Sequence, residues 1–140
     1  MRSPPNLDHF VQAQDPVWDS VQSELAAGRK RSHWMWFVFP QVHGLGHSDF
    51  AKRYAIRSRA EATAYLRHPV LGPRLHIACE LLLGLPGLSA HDVLGSPDDL
   101  KLRSSMTLFA EVSDSPSLFE AVLHKYFDGE KDVRTLQRLD

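Results

Sequence analysis

Apolar residues recur along this chain at spacings of three and four, which is the period of a helix with one buried face. The clearest stripe follows Asp15-Pro16, a capping residue and a proline at a favoured first helical position. This pattern predicts a helix that begins at Pro16 and ends at Gly28. The residues of its apolar stripe are Val17, Trp18, Val21 and Leu25.

Similar stripes follow other helix-start signals. A serine with a carboxylate three residues later occurs at Ser58, Ser89 and Ser96, and this arrangement is typical of a helix N-terminus. Further helices are predicted over residues 6–14, 73–84, 115–129 and 130–139. Because no pair of strands is evident, the chain is predicted to be an all-α, single-domain orthogonal bundle of about seven to nine short helices.

Residues 31–41 form an aromatic segment that holds two of the three tryptophans and two of the seven phenylalanines. A large aromatic side chain buries about 150–250 Å², so the other helices are expected to pack around this segment. Its periodicity fits either a buried strand or a short helix. The helix is favoured, with Ser32 as its cap, His33 as its first residue and Pro40 ending it at Phe39.

The composition fits one domain spanning residues 1–140, of which residues 1–5 are expected to be loose. A formal net charge of -1 gives no electrostatic argument for nucleic acid or an anionic membrane, so neither is expected as a partner. The single cysteine, Cys79, excludes an internal disulfide and is expected in the core. Because the N-terminus lacks an apolar signal segment, a cytoplasmic location is expected.

The most loop-like stretch, residues 41–48, follows the aromatic segment directly and contains two glycines and two histidines. Glycine permits a close approach of the backbone to a ligand, and functional residues are often held on loops of rigid scaffolds. Asp49 is the one carboxylate nearby, so no metal site is predicted. The Gly-x-Gly pattern lacks a third glycine and a preceding strand, and it therefore identifies no dinucleotide cofactor.

Polar residues on two predicted helices are open to two interpretations. Lys101, Ser104 and Ser105 share one side of a helix, where a cation beside two hydroxyls suits a phosphate or carboxylate. Alternatively, the serines bond to helix carbonyls and the lysine is solvated. Gln14 continues an apolar stripe, so its amide either bonds to neighbouring backbone, which we favour, or reads a ligand.

Four segments together resemble a known family, the domain-of-unknown-function 1810 family of small bacterial proteins. They are RSHWMWFVFPQ at residues 31–41, GLGHS at 44–48, AYLRHPVLGPRL at 64–75 and KLRSSMTLF at 101–109. The resemblance extends from Leu7 to about Tyr126 and implies an all-α fold, but no established activity. Separately, FVQAQ at residues 10–14 resembles a helix of small proteins that act on ADP-ribose or riboflavin-pathway intermediates, which points to nucleotide-like ligands.

The first functional hypothesis is a site for a small anionic or nucleotide-like metabolite, where the aromatic segment, the loop and the 101–105 helix meet. Histidine has an ordinary pKa near 6.5, so His33 or His43 is the candidate catalytic acid or base. The candidate ligand-binding residues are Gln14, Trp34, Trp36, Gln41, Gly44, Gly46, Ser48, Lys101, Arg103 and Ser105.

The second hypothesis is a protein-interaction module without enzymatic activity, in which the same residues build the core. It predicts that Trp34 and Trp36 are buried, and that no concave polar pocket lies near His33. No catalytic triad, carboxylate pair or phosphate-binding loop is evident from spacing, so the sequence identifies no reaction class. Whether the protein is an enzyme and which oligomeric state it adopts are open at this stage.

Overall fold

The computed structural model describes residues 6–139, which fold into short helices. Within this part of the chain, the one β-type contact is a parallel bridge between Val42 and Ile56. The elements are α1 (Asp8–Gln14), a 3-10 turn (Asp15–Val17), α2 (Trp18–Ala27), α3 (Met35–Val38), α4 (Asp49–Arg53), α5 (Arg59–Arg67), α6 (Leu71–Leu83), α7 (Ala90–Leu94), α8 (Asp98–Glu111), α9 (Leu118–Phe127) and α10 (Val133–Arg138). The all-α prediction is confirmed. Seven of the ten α-helices have six or more residues, which agrees with the predicted number.

Predicted capping signals start several of these helices. The hydroxyl of Ser58 accepts a hydrogen bond from the backbone of Glu61 at 3.1 Å and caps α5. Ser89 and Asp92 form a complete capping box at α7. These bonds satisfy backbone N–H groups that have no partner inside the helix.

Besides the start of the aromatic-segment helix, three predicted capping positions were wrong. Asp15 does not cap α2, because the chain runs from α1 into the 3-10 turn and the Asp15 carboxylate instead lies 2.8 Å from the Arg74 guanidinium. Ser96 makes no capping bond to α8. The cap of α9 is Ser117, two residues after the predicted Ser115, because Ser117 is the residue that forms the capping box with Glu120.

The aromatic segment contains a helix of only one turn, Met35–Val38, which is shorter than predicted. Ser32 does not cap it, because the Ser32 hydroxyl donates to the carboxylate of Glu24 at 2.6 Å. Trp34 and Phe39 are fully buried, whereas Trp36 is only half-buried. The aromatic segment therefore belongs to the core, and the ring of Trp36 lies at the edge of that core.

One continuous cluster of buried side chains joins the helices, as a single-domain fold requires. Helix α8 contributes Leu102, Met106, Leu108 and Phe109 and packs against α5, α7, α9 and α10. Cys79 is buried with its Sγ 3.7 Å from the Met106 sulfur, and burial raises the pKa of its thiol. The prediction of a core cysteine is confirmed.

Two points remain: whether a helix could span a membrane, and whether residues 1–5 are loose. None of the helices between residues 6 and 139 is long and apolar enough to cross a membrane. The expectation that residues 1–5 are loose lies outside the described residues.

Candidate functional site

A cavity of about 300 Å³, here called the α8 cleft, lies where the 41–46 loop faces the first half of α8. Helix α10 and the residue before it complete its wall. The cleft is lined by Gln41, Leu45, Gly46, Pro97, Leu100, Lys101, Arg103, Ser104, Asp132 and Arg134. It therefore joins three parts of the chain that are far apart in sequence.

Cations predominate among the charged residues of the α8 cleft: Lys101, Arg103 and Arg134 face one carboxylate, Asp132. That carboxylate is already occupied by hydrogen bonds. Its Oδ2 accepts from the Ser104 hydroxyl at 3.2 Å, and from the N–H and hydroxyl of Thr135 at 3.0 and 2.6 Å. Asp132 thus anchors α10, and its negative charge is outnumbered by the three cations of the cleft.

Arg103 is only partly neutralised by Asp132, because its Nη2 lies 3.8 Å from the nearer carboxylate oxygen. Its Nε is buried and has no hydrogen-bond partner among the described residues. A buried N–H donor without an acceptor is costly, and a guanidinium recognises planar or tetrahedral oxyanions through several donors at once. Arg103 therefore brings to the cleft wall a guanidinium charge that its long contact with Asp132 offsets only in part.

Lys101 links the α8 cleft to the aromatic segment. Its Nζ lies 5.2 Å from the ring centroid of Trp36, within cation–π range, and 3.4 Å from an Asp98 carboxylate oxygen. Asp98 also pairs with Lys30 at 3.0 Å, so the Asp98 carboxylate is shared between two lysines. Lys101 therefore keeps part of its charge available to the cleft.

A second, smaller cavity of about 130 Å³ lies on the other side of the 41–46 loop and is here called the loop cavity. Gln41 and Gly46 line both cavities. The remaining lining residues are Trp36, Val42, His43, Gly44, Ala51, Lys52, Tyr54, Ala55 and Arg57. The set includes two permanent cations and a histidine but no carboxylate, so this cavity also favours negative charge.

A histidine next to the loop cavity responds to the positive charge of two nearby arginines. The ring of His9 stacks on that of Tyr54 with a centroid distance of 5.7 Å. Burial, and then the charges of Arg53 and Arg57, lower the pKa of His9 below its ordinary value of 6.5. The neutral imidazole is therefore favoured beside a surface that already carries two guanidinium groups.

Gly44 sits at the tip of the loop with a φ of 88°, a backbone conformation that residues with a Cβ rarely adopt. A Cβ at this position would lie 2.4 Å from Nη1 of Arg138, the last residue of α10. The guanidinium of Arg138 thus lies directly over the loop. The glycine is needed here for the turn, whereas the tip of the Arg138 side chain could move aside from a Cβ.

The structure brings seven of the predicted site residues to these two cavities. They are Trp36, Gln41, His43, Gly44, Gly46, Lys101 and Arg103. For the 101–105 helix face, the structure agrees in part with both interpretations. Ser104 lines the cleft, as an anion site would require, and its hydroxyl is also 3.2 Å from the Leu100 carbonyl, as the interpretation of serines bonded to helix carbonyls predicts. The roles of these residues in binding or catalysis stay predictions.

Five other predicted site residues lie away from both cavities. Gln14 is buried and donates to the Phe37 carbonyl at 2.7 Å and to the Tyr65 hydroxyl at 3.0 Å, which is the structural interpretation that we favour. His33 is exposed. The other three are Trp34, whose indole donates to Glu24, Ser48, which caps α4, and Ser105, which is fully buried.

Sequence reasoning missed four charged residues of the site: Lys52, Arg57, Asp132 and Arg134. Lys52 lies on α4, Arg57 directly follows the bridge between Val42 and Ile56, and the other two belong to α10 and the residue before it, so tertiary contacts bring all four close. No spacing signal in the sequence pointed to them. A larger cavity of about 400 Å³, next to His76 and Phe119, has few polar groups and no Lys or Arg in its wall, so charge favours the α8 cleft and the loop cavity over it.

Comparison with known proteins places the chain among uncharacterised proteins. The family model described as "Protein of unknown function (DUF1810)" matches residues 4–139. The crystal structure of the conserved hypothetical protein Rv1873 from Mycobacterium tuberculosis is similar, with 55% identity, a TM-score of 0.95 and coverage of 98% of each chain. No curated protein matches. Because the family model covers nearly the whole sequence, the chain belongs to the DUF1810 family.

Proposed function

We propose that the protein binds a small anionic metabolite in the α8 cleft. The observation that carries this proposal is the set of three cations around the cleft, including an Arg103 that Asp132 neutralises only in part. Charge-assisted hydrogen bonds from a guanidinium to phosphate or carboxylate are among the strongest available to a protein. An anion in the cleft would pair with the Arg103 charge, which the 3.8 Å contact with Asp132 neutralises only in part.

A ring in the ligand is supported by the aromatic residues beside the cleft. Trp36 is half-buried, and its ring stacks on that of Phe50 at a centroid distance of 5.1 Å. Phe50 is 54% exposed, which is unusual for so large an apolar side chain. An aromatic surface next to cations suits a nucleotide-like molecule that carries both a flat ring and an anionic group.

The proposal concerns binding and names no reaction. Among the residues that line the α8 cleft, the one hydroxyl next to a carboxylate is that of Ser104, and it donates to Asp132 without a histidine between them. That pair lacks the general base that activates a serine nucleophile in known hydrolases. His43, in the loop cavity, is the remaining candidate acid or base.

A second candidate function is a protein-interaction face, and exposed apolar side chains at the cleft support it. Leu100 lines the cleft and is 53% exposed, while Val133, between two lining residues of the cleft wall, is 62% exposed. Exposed apolar groups surrounded by polar ones are typical of interaction surfaces. A partner with an acidic rim around an apolar centre would fit these residues.

A thermal-shift screen against nucleotides, NAD derivatives, ADP-ribose and sugar phosphates tests the proposed function. A ligand at about 100 times its dissociation constant adds roughly 2.7 kcal/mol of stability, a shift of several degrees for a domain of this size. We expect at least one anionic compound to stabilise the wild type, and expect Arg103→Gln and Arg134→Gln to remove the shift.

Arg67→Gln is the matched control, because Arg67 is exposed at the end of α5 and lines neither cavity. A flat response to the whole panel at millimolar concentration would contradict the metabolite proposal and favour the interaction face. So would a shift that Arg103→Gln and Arg134→Gln leave unchanged, since the ligand would then bind elsewhere.

A further inference from the structure

We infer that the loop cavity is a second anion subsite of the same ligand site, so that the ligand carries two anionic groups and spans the 41–46 loop. This inference rests on the proposed function, because it assumes that one anionic group occupies the α8 cleft. It adds the class of ligand: a molecule with two separated phosphate or carboxylate groups, such as a bisphosphate or a polyphosphate.

The first argument is that the two cavities are neighbours with a shared wall. Gln41 and Gly46 line both, so the two cavities meet at residues of the 41–46 loop. Trp36 in the loop cavity and Lys101 in the α8 cleft are in contact, with Nζ 5.2 Å from the ring centroid. A single extended molecule can therefore reach both cavities without leaving this face of the protein.

The second argument is charge. The loop cavity is lined by Lys52 and Arg57, and no carboxylate lines it. Helix α10 adds cations on both sides, because Arg134 lines the α8 cleft and Arg138 lies over Gly44 of the loop. The whole chain has a formal net charge of -1, so this concentration of cations is a local feature and not a consequence of composition.

The third argument is size. Sites that enclose a whole small molecule usually measure about 300–1,000 Å³. At about 300 Å³ the α8 cleft reaches that range, whereas the loop cavity, at about 130 Å³, does not. The smaller cavity is suited to one anionic group of a ligand whose larger part lies elsewhere, and it is too small to be an independent metabolite site.

Inorganic phosphate and tripolyphosphate are suitable probes, because they differ in the number of linked anionic groups and contain no other chemistry. Isothermal titration calorimetry at constant ionic strength measures the dissociation constant of each. Linking two groups that occupy adjacent subsites raises the effective concentration of the second, so we expect tripolyphosphate to bind the wild type at least about tenfold more tightly than phosphate.

The double variant Lys52→Gln/Arg57→Gln should lose this tenfold gain for tripolyphosphate. Its matched control is Arg29→Gln/Arg67→Gln, which removes the same charge from exposed positions outside both cavities and should keep the gain. All four substituted side chains are exposed, so both double variants are expected to fold, and their melting temperatures verify this.

The outcomes separate the two proposals. If Arg103→Gln abolishes tripolyphosphate binding while Lys52→Gln/Arg57→Gln retains the full gain, the second subsite is overturned and the proposed function stands. Equal losses in the loop-cavity variant and its control would also overturn the subsite, because the gain would then come from overall charge. If neither probe binds the wild type, the anion site in the α8 cleft fails as well.

Discussion

At the scale of single residues, Glu24 illustrates how one carboxylate organises a loop. Its oxygens accept from the backbone N–H groups of Arg31 and Ser32 at 2.6 and 2.9 Å, and from the Trp34 indole at 3.1 Å. Partial burial acts to raise the pKa of Glu24, but these bonds and that of the Ser32 hydroxyl outweigh it and lower the pKa to about 2. The carboxylate thus fixes the entry to the aromatic segment.

The lowered pKa makes a prediction about pH. Because the pKa of Glu24 is about 2 in the folded protein and 4.5 ordinarily, its carboxylate stabilises the fold above pH 4.5. That contribution falls as the pH drops from 4.5 towards 2. We expect Glu24→Gln to lower the free energy of unfolding at pH 7 by about 1–2 kcal/mol, measured by urea denaturation, since the side chain is only partly screened from solvent.

Glu80→Gln, at an exposed position of α6, is the control and should change the stability little. The difference between wild type and Glu24→Gln should shrink as the pH falls below 4.5. A difference that stays constant down to pH 2.5 would contradict the role assigned to the Glu24 carboxylate.

Gly72 makes a second prediction at this scale, because it lies against the backbone of the preceding helix. A Cβ at Gly72 would be 2.2 Å from the carbonyl oxygen of Leu66, and backbone cannot move aside as a side-chain tip can. We expect Gly72→Ala to destabilise the protein by about 2–3 kcal/mol in denaturant unfolding. Gly84→Ala, whose nearest contact would be 3.5 Å, should be near neutral; equal effects of the two would refute the steric explanation.

At the scale of elements, α10 is attached to α8 through a small polar network. Asp132 caps α10 by accepting from the Thr135 N–H at 3.0 Å, and its own N–H donates to the Thr107 hydroxyl at 2.9 Å. The Thr107 hydroxyl in turn donates to the Arg103 carbonyl at 2.8 Å. The helix that contributes Arg134 and Arg138 to the site is therefore positioned mainly by one aspartate.

Asp132→Ala should release α10 without unfolding the core. Loss of a capping carboxylate costs about 0.5–2 kcal/mol, so amide hydrogen exchange over residues 133–138 should accelerate by about 2- to 30-fold. The amides of α8 should keep their protection, and Asp114→Ala, in an exposed loop, should change neither helix. Equal acceleration in α8 and α10 would show that the network supports the whole fold instead.

Much of the secondary structure could be predicted because the information is local. The apolar period and the capping serines are enough to predict α5, α6 and α7. Two of the errors arose where a side chain had a stronger distant partner: Asp15 binds Arg74 and Ser32 binds Glu24, so neither caps the helix that follows it. The residues next to Asp15 and Ser32 in the sequence do not reveal that these distant partners compete with the helix N-terminus.

At the scale of the whole molecule, one part of the candidate site could be predicted from the sequence and the other part could not. The loop next to the aromatic segment and the cationic face of α8 were identified from the types and spacing of their residues. Lys52, Arg57 and Arg134 were not, because α4, the segment after the Val42–Ile56 bridge and α10 reach the site only through tertiary packing. Gln14 and Ser105 are polar residues on apolar helix faces, and this is why the sequence suggests them as ligand contacts. Both are buried in the folded protein and cannot contact a ligand.

The central claim is that an anion binds between the 41–46 loop and α8, and the most direct test is a tripolyphosphate titration followed by ¹H–¹⁵N NMR. The three tryptophans provide internal reporters, since Trp36 lines the loop cavity while the buried Trp34 indole is bonded to Glu24. We predict saturable shifts in the Trp36 indole and in the amides of residues 41–46 and 101–104, with the Trp34 indole unchanged. Shifts absent from both segments, or centred on another face, would contradict the account.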